Sequence, residues 1–148
     1  MESHLPNQKP TISGRWFLAI AGGYGALAIG FGAYRAHGLP KALQASGIDP
    51  AEVASRVSNL GIAVEYTLLH AVAIVALVAF KELRFRKLSC FAFASGITLF
   101  SGSLTLSAIW AWQPPSFIPP VGGILLILGW VTLFPLALLR PRANQAAN

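Results

Sequence analysis

Residues 88–139 read LSCFAFASGITLFSGSLTLSAIWAWQPPSFIPPVGGILLILGWVTLFPLALL, a run without a single Asp, Glu, Lys, Arg or His. One membrane-spanning helix needs only about 20 apolar residues, so the run is too long for one span. Trp112-Gln113-Pro114-Pro115 and Pro119-Pro120 divide it, because proline lacks the N–H and its ring clashes with the preceding turn. The stretch therefore predicts two spans, about 89–110 and 121–139, joined by a tight turn. Pro135 is placed to kink the last turns of the second.

Working outward, residues 16–34 are also free of charge, and they predict a span over about 16–35. A cleaved signal peptide fits them less well. The apolar stretch exceeds the usual core of about 7–15 residues, and Tyr34-Arg35-Ala36 offers no small-x-small cleavage site. A fourth apolar segment covers about 59–80, interrupted by Glu65 and His70. The expected architecture is an all-α membrane protein, a four-transmembrane-helix bundle over residues 15–140. A flexible tail precedes it at 1–14, and a second tail follows at 141–148. Between the first two spans lies a short helical loop. Pro40 opens a helix over 41–46 that Gly47 closes. Asp49 then reads as an N-cap, with Pro50 at the first helical position and Glu52 at the capping-box position. Gly61 is a possible bend.

Composition agrees. The chain is 55% hydrophobic and only 11% charged, against about 25% charged in a soluble domain, and its mean hydropathy is +0.61. Its single cysteine, Cys90, excludes an intramolecular disulfide and a cysteine metal cluster. The net charge of +6 comes from short basic clusters between apolar runs. That pattern suits loops at an anionic lipid surface and sets nucleic-acid binding aside. With four spans, Lys9, Arg15, Lys81, Arg84, Arg86, Lys87, Arg140 and Arg142 share one side, while Arg35, Lys41 and Arg56 occupy the other. The excess of Lys and Arg marks the cytoplasmic side, so both termini are expected there.

A few polar groups lie within the apolar segments. Glu65 should sit at nearly the depth of Arg35 and His37, which end the first helix. An unpaired carboxylate there costs about 2.5–3.5 kcal/mol even on lenient scales, so it should be paired, hydrated or protonated. A structural pair with Arg35, or failing that His37, is the simpler expectation; a proton or ion site is the functional alternative. His70 lies on a stripe with Asn59, Ala63 and Tyr66, while Glu65 stands about 100° from Tyr66 around the helix. Ser101, Ser103, Thr98 and Thr105 of the third span offer hydroxyls to a neutral His70. A metal site of Glu65, His70 and His37 would need a fourth ligand, and none is expected. Small residues recur as well. Gly22, Ala26 and Gly30 follow one another every fourth position, and Gly32, Gly102, Gly122 and Gly123 are further candidates for close helix packing. No phosphate loop, serine elbow or zinc-protease motif occurs, and four of the five acidic residues lie outside the apolar segments. No enzyme activity and no cofactor are expected.

Gly32-Ala33-Tyr34-Arg35-Ala36-His37-Gly38-Leu39 resembles the Gly-Ala-Phe-Gly-Ala-His-Gly-Leu signature of a family of small membrane proteins. That family is catalogued as domain of unknown function 423, and eukaryotic transmembrane protein 256 is a relative. Glu65-Tyr66 followed by His70, the stretch Leu99 to Leu104, Pro120-Val121-Gly122-Gly123 and Gly129-Trp130 resemble its further elements, in the same order. Arg35 departs from its usual glycine, Thr105 from a frequent tyrosine, and Pro119 from a frequent threonine. The resemblance implies a multi-pass protein, of the cytoplasmic membrane in bacteria, and carries no established activity. The expected role is that of a non-enzymatic structural or accessory component of a membrane assembly. Its partners would be the lipid bilayer and a membrane protein or a second copy of the chain. The alternative is a small transporter or channel, proton-coupled, centred on Glu65 and His70.

Overall fold

A computed structural model describes residues 12–80 and 86–134 of the chain. Among them are five helices: α1 Ile12–His37, α2 Leu39–Ala45, α3 Pro50–Ala79, α4 Arg86–Trp110 and α5 Ile118–Val131. Three of these, α1, α3 and α4, are long and apolar enough to cross a membrane. Helix α5 is equally apolar but has 14 residues, about 21 Å of rise, which is short of a full span. The expected continuation of that span to 139, the Pro135 kink, most of the tails and most of the connector at 81–87 lie outside the described residues.

Helix α3 is the centre of the arrangement. It packs along α1 on one side and α4 on another, α5 lies along α4, and α1 barely touches α4. Neighbours run antiparallel: Arg35, near the end of α1, reaches Val57 near the start of α3, and Gly122, early in α5, meets Phe100 late in α4. One core cluster joins Ala21, Ile74, Leu77, Cys90, Phe93, Ile97 and Leu126. A second seals the α2 end with Leu39, Leu43, Val53, Leu60 and Ala108.

The local signals around α2 act as expected. Gly47 takes the left-handed conformation, φ 70°, and its N–H bonds the Gln44 carbonyl while Ile48 N–H bonds that of Leu43. That is a Schellman closure, completed by Ile48 packing into the same cluster as Leu43. The Asp49 side chain accepts from Ala51 N–H at 2.9 Å and starts α3 at Pro50. The second half of the capping box is absent, because Glu52 turns forward to pair with Arg56 one turn on. Gly61 lies inside an unbroken α3.

Small residues bring α5 onto α4. A methyl group added at Gly122 would run into the Phe100 backbone, one at Gly129 into the Phe93 ring, and one at Gly96 into Leu126. Packing is the force that holds helices together in lipid, so these three glycines set the spacing. Gly123 lies at ordinary contact with Phe100, and Gly32 with Val64. The stripe on α1 meets no other helix among the described residues. Gly22, Ala26 and Gly30 face outward, and added methyl groups at both glycines would meet nothing within 4 Å. The buried face of α1 is instead Phe17, Ala21, Tyr24, Ala28, Phe31 and Arg35, since the larger side chains fill the gap toward α3 and α4. Gly102 likewise meets nothing within 4 Å. Replacing Gly122 with Ala should lower stability by about 1–3 kcal/mol through overpacking, whereas Gly22→Ala should leave it unchanged. Thermal unfolding of the two variants in detergent, followed by circular dichroism, tests the contrast.

Candidate functional site

The polar groups on and beside α3 divide into those the fold satisfies and those it leaves open. Arg35 belongs to the first kind. Its Nε donates to the Val57 carbonyl at 3.0 Å, and the guanidinium lies over Gly61, in a slot that a side chain at that position would fill. The expected Arg35–Glu65 pair is not formed. The slot over Gly61 points the arginine along α3 toward its start, as a snorkelling side chain prefers, and so away from Glu65. His37 and Glu65 are both exposed, and the one ion pair among the described residues is Glu52–Arg56.

His70 is satisfied too, though not as expected. It is only 3% exposed. The Trp130 indole N–H donates to its Nε2 at 3.1 Å, which makes Nε2 the acceptor and leaves Nδ1 as the donor to the Tyr66 carbonyl, 2.7 Å away. The ring is thus held in one neutral tautomer. It packs against Phe93 with centroids 5.2 Å apart, and Trp130 meets the same ring at 5.2 Å. Tyr66 stacks on His70 and tilts against Phe100. The partner of His70 is an indole on α5 instead of a hydroxyl on α4, because Gly129 seats α5 directly on Phe93 and swings Trp130 across it. Among the described residues no three His, Cys, Asp or Glu side chains gather as a metal site would require. Glu65 and His70 point to different surroundings, one exposed and one buried.

The hydroxyls of α4 have their own partners. Ser103 donates to the Phe100 carbonyl at 2.8 Å. Thr98 bonds the Ala94 carbonyl and stands 2.7 Å from the hydroxyl of Tyr24, which itself donates to Ala94. Tyr24, absent from the sequence candidates, is therefore a tether between α1 and α4. A lone tyrosine in the middle of an apolar span was the available signal, since its hydroxyl needs a partner there. Ser101 is buried with no partner for its hydroxyl among the described residues. It lies beside a groove of about 510 Å³ lined by Tyr24, Phe31, Ala63, Thr67 and Trp110, a size and lining suited to an apolar chain.

Long apolar helices, glycine-spaced packing and intramembrane polar groups closed upon one another define the class: an α-helical membrane protein. More particularly, the chain belongs to the family described as Protein of unknown function (DUF423), whose pattern matches residues 31–123. It is 34% identical over 119 residues to the UPF0382 membrane protein of Haemophilus influenzae, covering 79% of this chain and 89% of that relative. No solved structure matches the chain. The matched region includes Arg35, Glu65, His70 and Gly122 and stops before Trp130.

The Trp130–His70 bond should register as a coupling. His70→Phe and Trp130→Phe are expected to destabilise the protein singly, and the double variant to lose less than their sum, with an interaction of about 0.6–1.7 kcal/mol. Unfolding of the four proteins in detergent measures it.

Proposed function

We propose that the chain is a four-span protein of the bacterial cytoplasmic membrane, both termini inside, that serves as a non-enzymatic structural or accessory component of a larger assembly. One observation carries this. Helix α1 is held almost entirely by α3, and its opposite face, with Ala19, Gly22, Ala26, Gly30 and Ala33, is exposed. Gly122 lies against the Phe100 backbone and Gly129 against the Phe93 ring, whereas at Gly22 and Gly30 there is open space. A small-residue face in lipid gains nothing unless another helix approaches it. The occupant would be a helix of a partner protein or α1 of a second copy.

The count of four spans is supported by the apolar sequence that continues α5 to Leu139, and the orientation by the excess of Lys and Arg beside the termini. The transporter alternative is weaker because both ring nitrogens of His70 are already committed, and because Glu65 does not share its surroundings.

Gly22→Leu and Gly30→Leu should leave the stability of the isolated chain within about 0.5 kcal/mol, as for exposed positions. Both should nonetheless reduce its association in mild detergent, read by cross-linking and native mass spectrometry. Association equal to wild type in both variants defeats the proposal. A membrane-impermeant thiol reagent applied to intact cells should label Lys41→Cys and spare Asn148→Cys; the opposite pattern reverses the orientation.

A further inference from the structure

Packing leaves one face of α3 open. Ile62, Glu65, Leu69, Val72 and Ala76 succeed one another at alternating spacings of three and four residues, and all are exposed. That alternation forms the seam along which a second helix packs at a shallow angle. The face lies between the flank of α3 taken by α1, where Arg35 bonds Val57 and Gly32 meets Val64, and the flank where Trp130 of α5 reaches His70.

Glu65 makes this face unlike an ordinary lipid-facing one. It stands 14 residues before Ala79, the last residue of α3, which is about 21 Å of helix. With Ala79 set at the opposite boundary of a hydrocarbon core of about 30 Å, Glu65 falls about 9 Å inside the boundary at the Arg35 end. A carboxylate at that depth facing lipid is costly and calls for a partner. This chain provides none among its described residues. Arg35 is turned to Val57, Arg56 is paired with Glu52, Arg15, His37, Arg86 and Lys87 lie near helix ends, and Lys41 lies in the short α2. A second copy in the same orientation would bring the same residues at the same depths, and among the described ones none is a free cation level with Glu65.

We propose that the open face of α3 docks a transmembrane helix of a different protein, one carrying an arginine or lysine about six residues inside the same membrane boundary, which pairs with Glu65. Six residues of rise match the 9 Å depth. An arginine would meet the carboxylate with two parallel hydrogen bonds, strengthened by the absence of water. Ile62, Leu69, Val72 and Ala76 would supply the packing that fixes the crossing. The proposal rests on the chain being an accessory component, but it uses α3 and leaves the small-residue face of α1 aside.

The test uses the full chain in phosphatidylcholine vesicles with a fluorescent label. Three apolar peptides of about 21 residues, long enough to span, differ only at the sixth position from one end: leucine, arginine or glutamate. Energy transfer reports binding. The arginine peptide should bind about tenfold more tightly than the leucine peptide, and Glu65→Gln should abolish the preference. Gly30→Leu should retain it, which separates this contact from the one on α1. Because Glu65 has no partner among the described residues, Glu65→Gln should also unfold at the wild-type temperature, and a marked fall would overturn the open face. Equal binding of the arginine and leucine peptides overturns the proposal, as does a preference that survives Glu65→Gln. Glu65-dependent self-association without preference for the arginine peptide assigns the face to a second copy and likewise overturns it.

Discussion

The close approach of α5 to α4 is the constraint on which the rest of the structure depends. In lipid there is no hydrophobic gain from burying one apolar helix against another, so contact area must come from shape. Gly96, Gly122 and Gly129 remove the side chains that would hold the two backbones apart, and Leu126, Phe100 and Phe93 fill the recesses. That spacing sets the rotation of α5, which lays Trp130 across Phe93 and brings its N–H to His70. A polar group in the middle of α3 is thereby paired by a helix that is not its neighbour in the packing order. The Ser89–Thr132 contact at 2.7 Å fastens the far end of the same interface.

The same economy governs the other polar side chains. Each buried donor or acceptor must find a partner inside the protein, since the surroundings offer none. Tyr24 finds Ala94 and Thr98, Arg35 finds Val57, and Ser103 bonds back to Phe100. Two groups stand outside this closure. Ser101 is buried beside the groove with its hydroxyl unpartnered, and Glu65 is directed outward from α3. The first costs one neutral hydrogen bond; the second is a carboxyl group on the outer side of α3, which is more costly to leave without a partner in lipid.

Two helices therefore carry surfaces that no other described residue covers. α1 presents glycine and alanine where no neighbour approaches, and α3 presents a carboxylate within a seam of aliphatic side chains. Both features are uneconomical for a protein that stands alone in a bilayer. Under the proposed docking they would select differently: the first any helix able to come close, the second by charge and depth.

The three long apolar helices, the proline break after Trp112, and the closures at Gly47 and Asp49 were all legible in the order of residues, because each depends on local chemistry. Span length follows from composition, and a cap from the few residues that form it. Which face of a helix is buried did not follow in the same way. Gly22, Ala26 and Gly30 have the spacing of a packing face, yet the face turned to α3 holds Phe17, Ala21, Tyr24, Ala28, Phe31 and Arg35. Nor could spacing pair His70 with Trp130, 60 positions away, or turn Arg35 to Val57 instead of Glu65. Those outcomes depend on the rotation of each helix about its own axis. A pattern with a period near 3.6 residues allows several such rotations, and only the packed neighbours choose among them.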